Sequence, residues 1–300
     1  MTRPRTAIVT GAGRGLGRAH ALALAAAGHA VVVNDLGAAA DGAGADATPA
    51  DEVVAEIEAA GGIAVASHHD VTDFAATADL VSLAVDRFGG LDVVVANAGI
   101  LRDRTLVSMT ESEWDSVIAV HLKGTFTISH HAAVHWRGQA KSGVEVDARL
   151  ITTTSASGLY GNVGQSNYAA AKAGIAGFTL VAAQELRPYG VRVNCVAPSA
   201  LTRLTEGPLV RYEGEITERR RAELDPHWVA RVVAWLAGPK GRDVSGHVFD
   251  IRGPQIGVAS GWSLEQTFRQ PDDDDELDEV MRAVIAAAPP AANMEGRRHG

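Results

Sequence analysis

Ser155, Tyr168 and Lys172 stand together in the stretch SASGLYGNVGQSNYAAAKAG. Tyr168 and Lys172 are four residues apart, so on a helix they share one face, one turn from each other. An ammonium beside a phenol favours the phenolate and draws its pKa down from about 10 toward the working range. Such a phenol can exchange a proton with an alcohol or carbonyl oxygen while a hydride moves elsewhere. Ser155 follows the run RLITTT, which places its hydroxyl at a strand end, within reach of the same substrate oxygen. A Tyr-x-x-x-Lys pair arises often by chance. Its chemistry requires a hydride carrier and a frame that brings the three side chains together.

That frame is written as short apolar runs alternating with helix-length segments. The strand candidates are 7–10, 30–35, 63–68, 91–97, 149–154, 191–197 and 247–251. They are largely apolar throughout, as in strands covered on both faces. Helices are expected over 15–27, 50–60, 73–88, 111–136, 167–187 and 225–237. Thr72 or Asp70 can cap the third of these, and Asp225 can cap the last with Pro226 at its first position. The alternation predicts an α/β fold with a parallel, doubly wound sheet and right-handed crossovers. A Gly/Ala-rich loop spans 37–49, and the acidic run PDDDDE reads as a solvated linker before a C-terminal amphipathic helix.

The carrier is a nucleotide. After the first strand, GAGRGLG opens the first helix with Gly11, Arg14, Gly15, Leu16 and Gly17. A turn of this kind lets the backbone approach a pyrophosphate at the positive end of the helix. The second strand ends at Asp35, eighteen residues beyond Gly17. Its carboxylate can accept from both ribose hydroxyls of an adenosine and repels a 2′-phosphate, which favours NAD over NADP. Arg14 argues the other way, since a guanidinium in the turn could pair with that phosphate. Asp70 and Val71 fall where a third strand end could reach adenine. Asn97, Ala98 and Gly99 end the fourth strand, small enough to let a cofactor pass close to the sheet. All four stretches lie at carboxyl ends of successive strands, where open α/β sheets bind ligands.

Thr10-Gly11 with Gly15 and Gly17, Asn97-Ala98-Gly99, Ser155, and Tyr168 with Lys172 together resemble the short-chain dehydrogenase/reductase family over roughly 1–255. The segments VVVNDLG, NAGILRDRTL, VHLKGTF and GLYGNVGQSNY are similar, more narrowly, to the (3R)-hydroxyacyl-CoA dehydrogenase domain of peroxisomal multifunctional β-oxidation enzymes, also described as 17β-hydroxysteroid dehydrogenases. The resemblance implies a single Rossmann domain, 1–260, with a seven-stranded parallel sheet and helices on both faces, then a C-terminal extension, 261–300. It implies that Tyr168 is the acid/base, that Ser155 positions the substrate oxygen, and that Lys172 lowers the phenol pKa and binds the nicotinamide ribose. Where the family often has asparagine after the fourth strand, this chain has His121, whose titration would bring a pH dependence near neutrality. Pro198 matches the family's proline after the sixth strand, and the carboxamide-binding threonine falls at Thr202. A homodimer or homotetramer is implied through helices 111–136 and 167–187, where Ala169, Ala170, Ala173 and Gly177 allow close packing.

Composition narrows the remaining choices. A net charge of −9 without a Lys/Arg-rich run disfavours nucleic-acid binding. The single cysteine, Cys195, sits in an apolar strand and suits a reducing compartment. No apolar run approaches the roughly 20 residues that span a bilayer, and the expected location is cytoplasmic. His131 and His135 have zinc spacing but lack a third ligand, so no metal is expected. The function expected is hydride transfer between NAD and a 3-hydroxyacyl-CoA or 17β-hydroxysteroid. The alternatives are an NADPH-dependent 3-oxoacyl reductase and a nucleotide-sensing module without catalysis, the last opposed by the presence of all three reactive side chains.

Overall fold

The computed structural model describes residues 3–262, 267–271, 273–289 and 291–297. Seven parallel strands form: β1 (Thr6–Thr10), β2 (Ala30–Asn34), β3 (Ile63–Ser67), β4 (Val93–Ala96), β5 (Ala148–Thr153), β6 (Val191–Ser199) and β7 (Val248–Arg252). An eighth, β8 (Gln255–Val258), pairs antiparallel with β7, so the expected seven-stranded parallel sheet gains an edge strand. The order is β3-β2-β1-β4-β5-β6-β7-β8. β8 escaped the sequence pattern because all four of its residues are exposed and it carries no apolar run.

Alternate residues of the central strands feed opposite faces. Ala7 and Val9 of β1 join one core with Leu24, Ile57 and Val233, from helices α1 (Gly15–Ala26), α2 (Thr48–Ala59) and α10 (His227–Ala237). Ile8 joins the other with Leu80, Ile128 and Ala182, from α3 (Phe74–Phe88), α5 (Gly124–Lys141) and α7 (Ser166–Leu186). Each fully buried Val, Ile or Leu contributes about 1.5–3 kcal/mol, which is why near-continuous apolar strands need helices on both sides. Cys195 is fully buried in a smaller cluster with Ile175, Ala197 and Val248. The cap of α3 is Asp73, whose carboxylate accepts from the N–H groups of Ala75 and Ala76 at 2.8 and 3.1 Å, rather than Thr72 or Asp70. Asp225 accepts from the N–H of His227 at 2.8 Å, and Pro226 precedes the first residue of α10.

The helix expected over 111–136 is interrupted. α4 (Glu111–Ile118) runs into a π-helical turn, Ala119–Lys123, before α5 begins. A 3.6-residue periodicity cannot register the extra residue of such a turn. The short helix α6 (Ala156–Tyr160) follows β5, and α8 (Arg203–Glu213) and α9 (Glu218–Glu223) follow β6. α11 (Asp274–Ala287) begins inside the acidic run. Asp274, Asp275 and Glu276 are therefore helix start rather than linker, where carboxylates favour the positive helix end. Asp272 lies outside the described residues. The tail returns to the domain, with Arg252 Nη2 donating to the carbonyl of Met294 at 3.0 Å.

Candidate active site

The strand order reverses between β1 and β4, and a cleft of about 460 Å³ opens at their carboxyl ends. Its floor is the glycine turn. A Cβ on Gly17 would lie 2.0 Å from the carbonyl oxygen of Gly11, so only glycine lets α1 start this close to the strand end. Asn97 locks the turn from below: its Nδ2 donates to the carbonyls of Thr10 and Gly11, at 3.0 and 3.3 Å. The N–H groups of Asn97 and Ala98 donate to Thr10 Oγ1 at 3.0 and 3.1 Å. α1 has no side-chain cap and no acidic residue in its first turn. Its positive end, lined by Arg14, Gly15 and Leu16, therefore faces the cleft with its first-turn N–H groups uncapped by a side chain. These features fit a nucleotide pyrophosphate.

Asp35 is fastened to the same turn. Its Oδ2 accepts from Gly13 N–H and its Oδ1 from Gly37 N–H, each at 2.7 Å. Each oxygen keeps a second lone pair for a ribose hydroxyl. Asp70 Oδ1 accepts from Thr72 N–H at 2.8 Å, and Val71 is buried with its carbonyl taken by Thr127 Oγ1 at 2.7 Å. Pro198 and Thr202 line the far wall, where the Thr202 methyl would lie 3.3 Å from a Cβ on Gly15. The wall also holds residues given no role from sequence. Loop 38–42 folds across the cleft and is tied down by Leu101 N–H to Ala40 O (3.1 Å), Arg102 Nε to Asp41 O (2.6 Å) and Arg203 Nη2 to Ala38 O (3.1 Å). The loop's glycines announced a turn, but only the two arginines hinted at anything to hold it.

At the other end, Ser155 caps α6 and its Oγ accepts from Ser157 N–H at 3.2 Å. Tyr168 is half-buried on the first turn of α7, and the Ser155 side chain acts on its phenol in the sense that lowers its pKa. Lys172 is buried one turn on. Its Nζ donates to Thr153 O at 2.7 Å and lies 5.5 Å from the Tyr168 ring centroid. The expected tuning does not appear in this state. Burial pushes the Tyr168 phenol up to about 12, with Ser155 opposing it. Burial likewise pushes the Lys172 ammonium down to about 8. The physical reason is the direction of the ammonium: it points at a backbone carbonyl and the ring face, so desolvation outweighs its field at the oxygen.

His121 sits in the π turn against Gly99, where a Cβ would lie 2.4 Å from His121 Cε1. Its Nε2 lies 3.1 Å from the Ile100 N and 2.8 Å from the Ile100 O, and its ring meets Tyr168 edge-on with centroids 5.0 Å apart. Burial first, then the Lys172 charge, pushes its pKa down to about 3. His121 is therefore neutral across the working range, and the expected titration near neutrality is corrected. Its Nδ1, buried and without a partner among the described residues, is the atom left for any relay. His131 turns its Nε2 to the Phe74 carbonyl at 2.8 Å, and among the described residues no cluster of three or more His, Cys, Asp or Glu could hold a metal.

Residues 5–207 match the family model of the short chain dehydrogenase. The chain belongs to that family. It is an NAD(P)-dependent oxidoreductase acting on a small molecule by hydride transfer. It is 43% identical over 291 residues to the hydroxyacyl-CoA dehydrogenase ChsB1 of Mycobacterium tuberculosis, covering 95% of this chain and 90% of that one. It is 43% identical over 253 residues to the peroxisomal multifunctional enzyme type 2 of Mus musculus, covering 84% of this chain but 32% of that protein. A solved short chain dehydrogenase from Mycobacterium avium superposes with a TM-score of 0.85 at 47% identity, over 96% of this chain and 97% of the other. No helix among the described residues is long and apolar enough to cross a membrane.

Proposed function

We propose that the enzyme oxidises a secondary alcohol with NAD, the substrate being a 3-hydroxyacyl-CoA or a 17β-hydroxysteroid, and that Ser155, Tyr168 and Lys172 carry the reaction. The observation behind this reading is the approach of the Ser155 side chain to the Tyr168 phenol at the end of the nucleotide cleft, with the Lys172 ammonium 5.5 Å from the centroid of the same ring. Two hydroxyls side by side there offer one point for a substrate oxygen. Ser155 donates to that oxygen, and Tyr168 takes its proton as the carbon–hydrogen bond breaks. The chemistry supplied by bound oxidised nicotinamide would be the acceptance of the hydride. Lys172, held by Thr153 O, keeps two further N–H groups, which would bind the nicotinamide ribose. The N–H groups of turn 11–17 would hold the pyrophosphate, Asp35 the adenosine ribose, Asp70 and Val71 the adenine, Asn97–Gly99 the passage over the sheet, and Pro198 and Thr202 the carboxamide. His121 Nδ1 would lend the proton path a neutral relay.

Asp35 supports NAD over NADP because a 2′-phosphate would meet a carboxylate whose two bound donors are backbone N–H groups rather than a cation. Arg14 lines the same cleft and is the feature that argues for NADP. The relative named a hydroxyacyl-CoA dehydrogenase supports the thioester substrate. Initial rates on 3-hydroxyacyl-CoA esters of several chain lengths and on 17β-hydroxysteroids, each with NAD and NADP, test both points. At least about tenfold preference for NAD is expected from the like-charge penalty. Preference for NADP would favour a biosynthetic 3-oxoacyl reductase instead, and inertness of both substrate classes would overturn the substrate reading.

Assembly into a homodimer or homotetramer belongs to the same reading. Phe126 and Val134 on α5, and Leu180 and Val181 on α7, are 42–55% exposed in the single chain, an apolar face of the kind that marks an interface. A monomer by light scattering at micromolar concentration would refute it.

A further inference from the structure

The side chains that seat Tyr168 lead away from the cleft to a carboxylate the reaction does not use. Gln165 precedes α7 and lies three residues before Tyr168. Its Nε2 donates to Asp103 Oδ2 at 2.9 Å, and its Oε1 accepts from Ser157 Oγ at 2.8 Å and Asn162 Nδ2 at 3.0 Å. Its backbone forms a β-bridge with Arg104. Ser157 in turn donates its N–H to Ser155 Oγ. One amide thus ties the segment after β4 to the helix that Ser155 caps and to the start of the helix that carries Tyr168. Asn167 repeats the pattern: its Nδ2 donates to the carbonyls of Arg102 and Glu113, both at 3.0 Å, and its Oδ1 accepts from Tyr168 N–H at 2.7 Å.

Asp103 does more than anchor. Its Oδ1 is buried without a partner among the described residues, its Oδ2 is held by the Gln165 amide, and its negative charge adds, after burial, to what keeps the Tyr168 phenol protonated. The other charges around Tyr168 are already committed. Lys172 is bonded to Thr153 O, and His121 is neutral. Arg102 is turned to Asp41 O, Arg104 pairs with Glu113 of α4 at 3.3 Å, and Asp115 of α4 is exposed. On α6, Tyr160 faces Asp250 at 3.4 Å. Beneath α7, Cys195 is a buried thiol whose pKa burial raises.

We propose that Asp103 and Gln165 are positioning residues of the reaction: the Gln165 amide keeps Ser155 and Tyr168 in register, and the Asp103 carboxylate that holds this amide places a negative charge beside the start of α7. This rests on Tyr168 being the acid/base. Removing a negative charge near a phenol stabilises the phenolate, so Asp103→Asn moves the rising limb of the oxidation profile to lower pH. Since burial is the larger cause, the shift is at most about one pH unit. Asp103→Glu, which keeps the charge, leaves the limb nearer its original place. Gln165→Leu loosens the register and lowers kcat about tenfold, while the affinity for NADH stays within about twofold.

The test is the pH profile of kcat with NAD and 3-hydroxyoctanoyl-CoA for the parent enzyme and these variants, with NADH affinity measured by fluorescence titration. A limb that does not move in Asp103→Asn overturns the proposal. So does a loss of NADH affinity in step with kcat, which would assign the pair to the fold alone. Tyr168→Phe in the same series separates the two levels: if it retains turnover, the acid/base reading is at fault, whereas an inert Tyr168→Phe beside an unmoved Asp103→Asn refutes only the role of the pair.

Discussion

Tyr168→Phe lowers kcat for alcohol oxidation by about 10³-fold and leaves NADH affinity within about twofold. The substitution removes one oxygen and keeps the ring. That ring packs against Ile100, Val117 and Ala171, contacts that phenylalanine retains, so the cleft keeps its shape. What is lost is the group that takes the proton. Ser155 remains, but a serine hydroxyl has no accessible pKa in the working range and can only donate to the substrate oxygen. Lys172 remains too, with its ammonium bound to the Thr153 carbonyl and 5.5 Å from the ring centroid. Steady-state rates with titration of NADH fluorescence check the result. Turnover within tenfold of the parent would end the assignment of Tyr168, whatever happens to affinity.

The second large effect is at the nucleotide end. Gly17→Ala puts a methyl 2.0 Å from the Gly11 carbonyl oxygen and 2.7 Å from Asn97 Nδ2. The first of these is backbone, fixed between β1 and α1, and the second is held by two hydrogen bonds to carbonyls of the same turn. Neither can swing aside as the end of a flexible side chain would, so the start of α1 must move away from the sheet. Overpacking of this kind costs about 1–3 kcal/mol, equivalent to a fall of about 2–6 °C in thermal midpoint for a chain of this size. The functional loss is larger than the stability loss, because the displaced N–H groups are those that would receive the pyrophosphate. NADH affinity is expected to fall at least about tenfold by isothermal calorimetry. A variant that binds NADH like the parent would show that the turn does not hold the nucleotide.

Much of the architecture was legible because it rests on local rules. Ala7, Ile8 and Val9 read as a two-sided strand from composition alone, and each core claims its alternate residues. GAGRGLG between a strand and a helix announced the turn, and Asp35 at the next strand end announced its neighbour. β8 was not legible, since an exposed edge strand of four residues is held by pairing rather than by a pattern. Nor was the reach of loop 38–42 across the cleft, which depends on Arg102 and Arg203 from distant segments.

The sequence by itself determined the order of the elements, the glycine turn, and the placing of Tyr168 and Lys172 one helical turn apart, because each follows from chain geometry over a few residues. Tertiary structure alone decided the electrostatics. The Lys172 ammonium turns to the Thr153 carbonyl, so burial raises the Tyr168 phenol instead of the lysine lowering it. The π turn seals His121 against Gly99 and keeps it neutral. Asp103, sixty-five residues before Tyr168, becomes its charged neighbour through Gln165. Spacing specifies which groups can meet; solvent exclusion and the direction of each hydrogen bond, properties of the packed whole, specify what their meeting does to a proton.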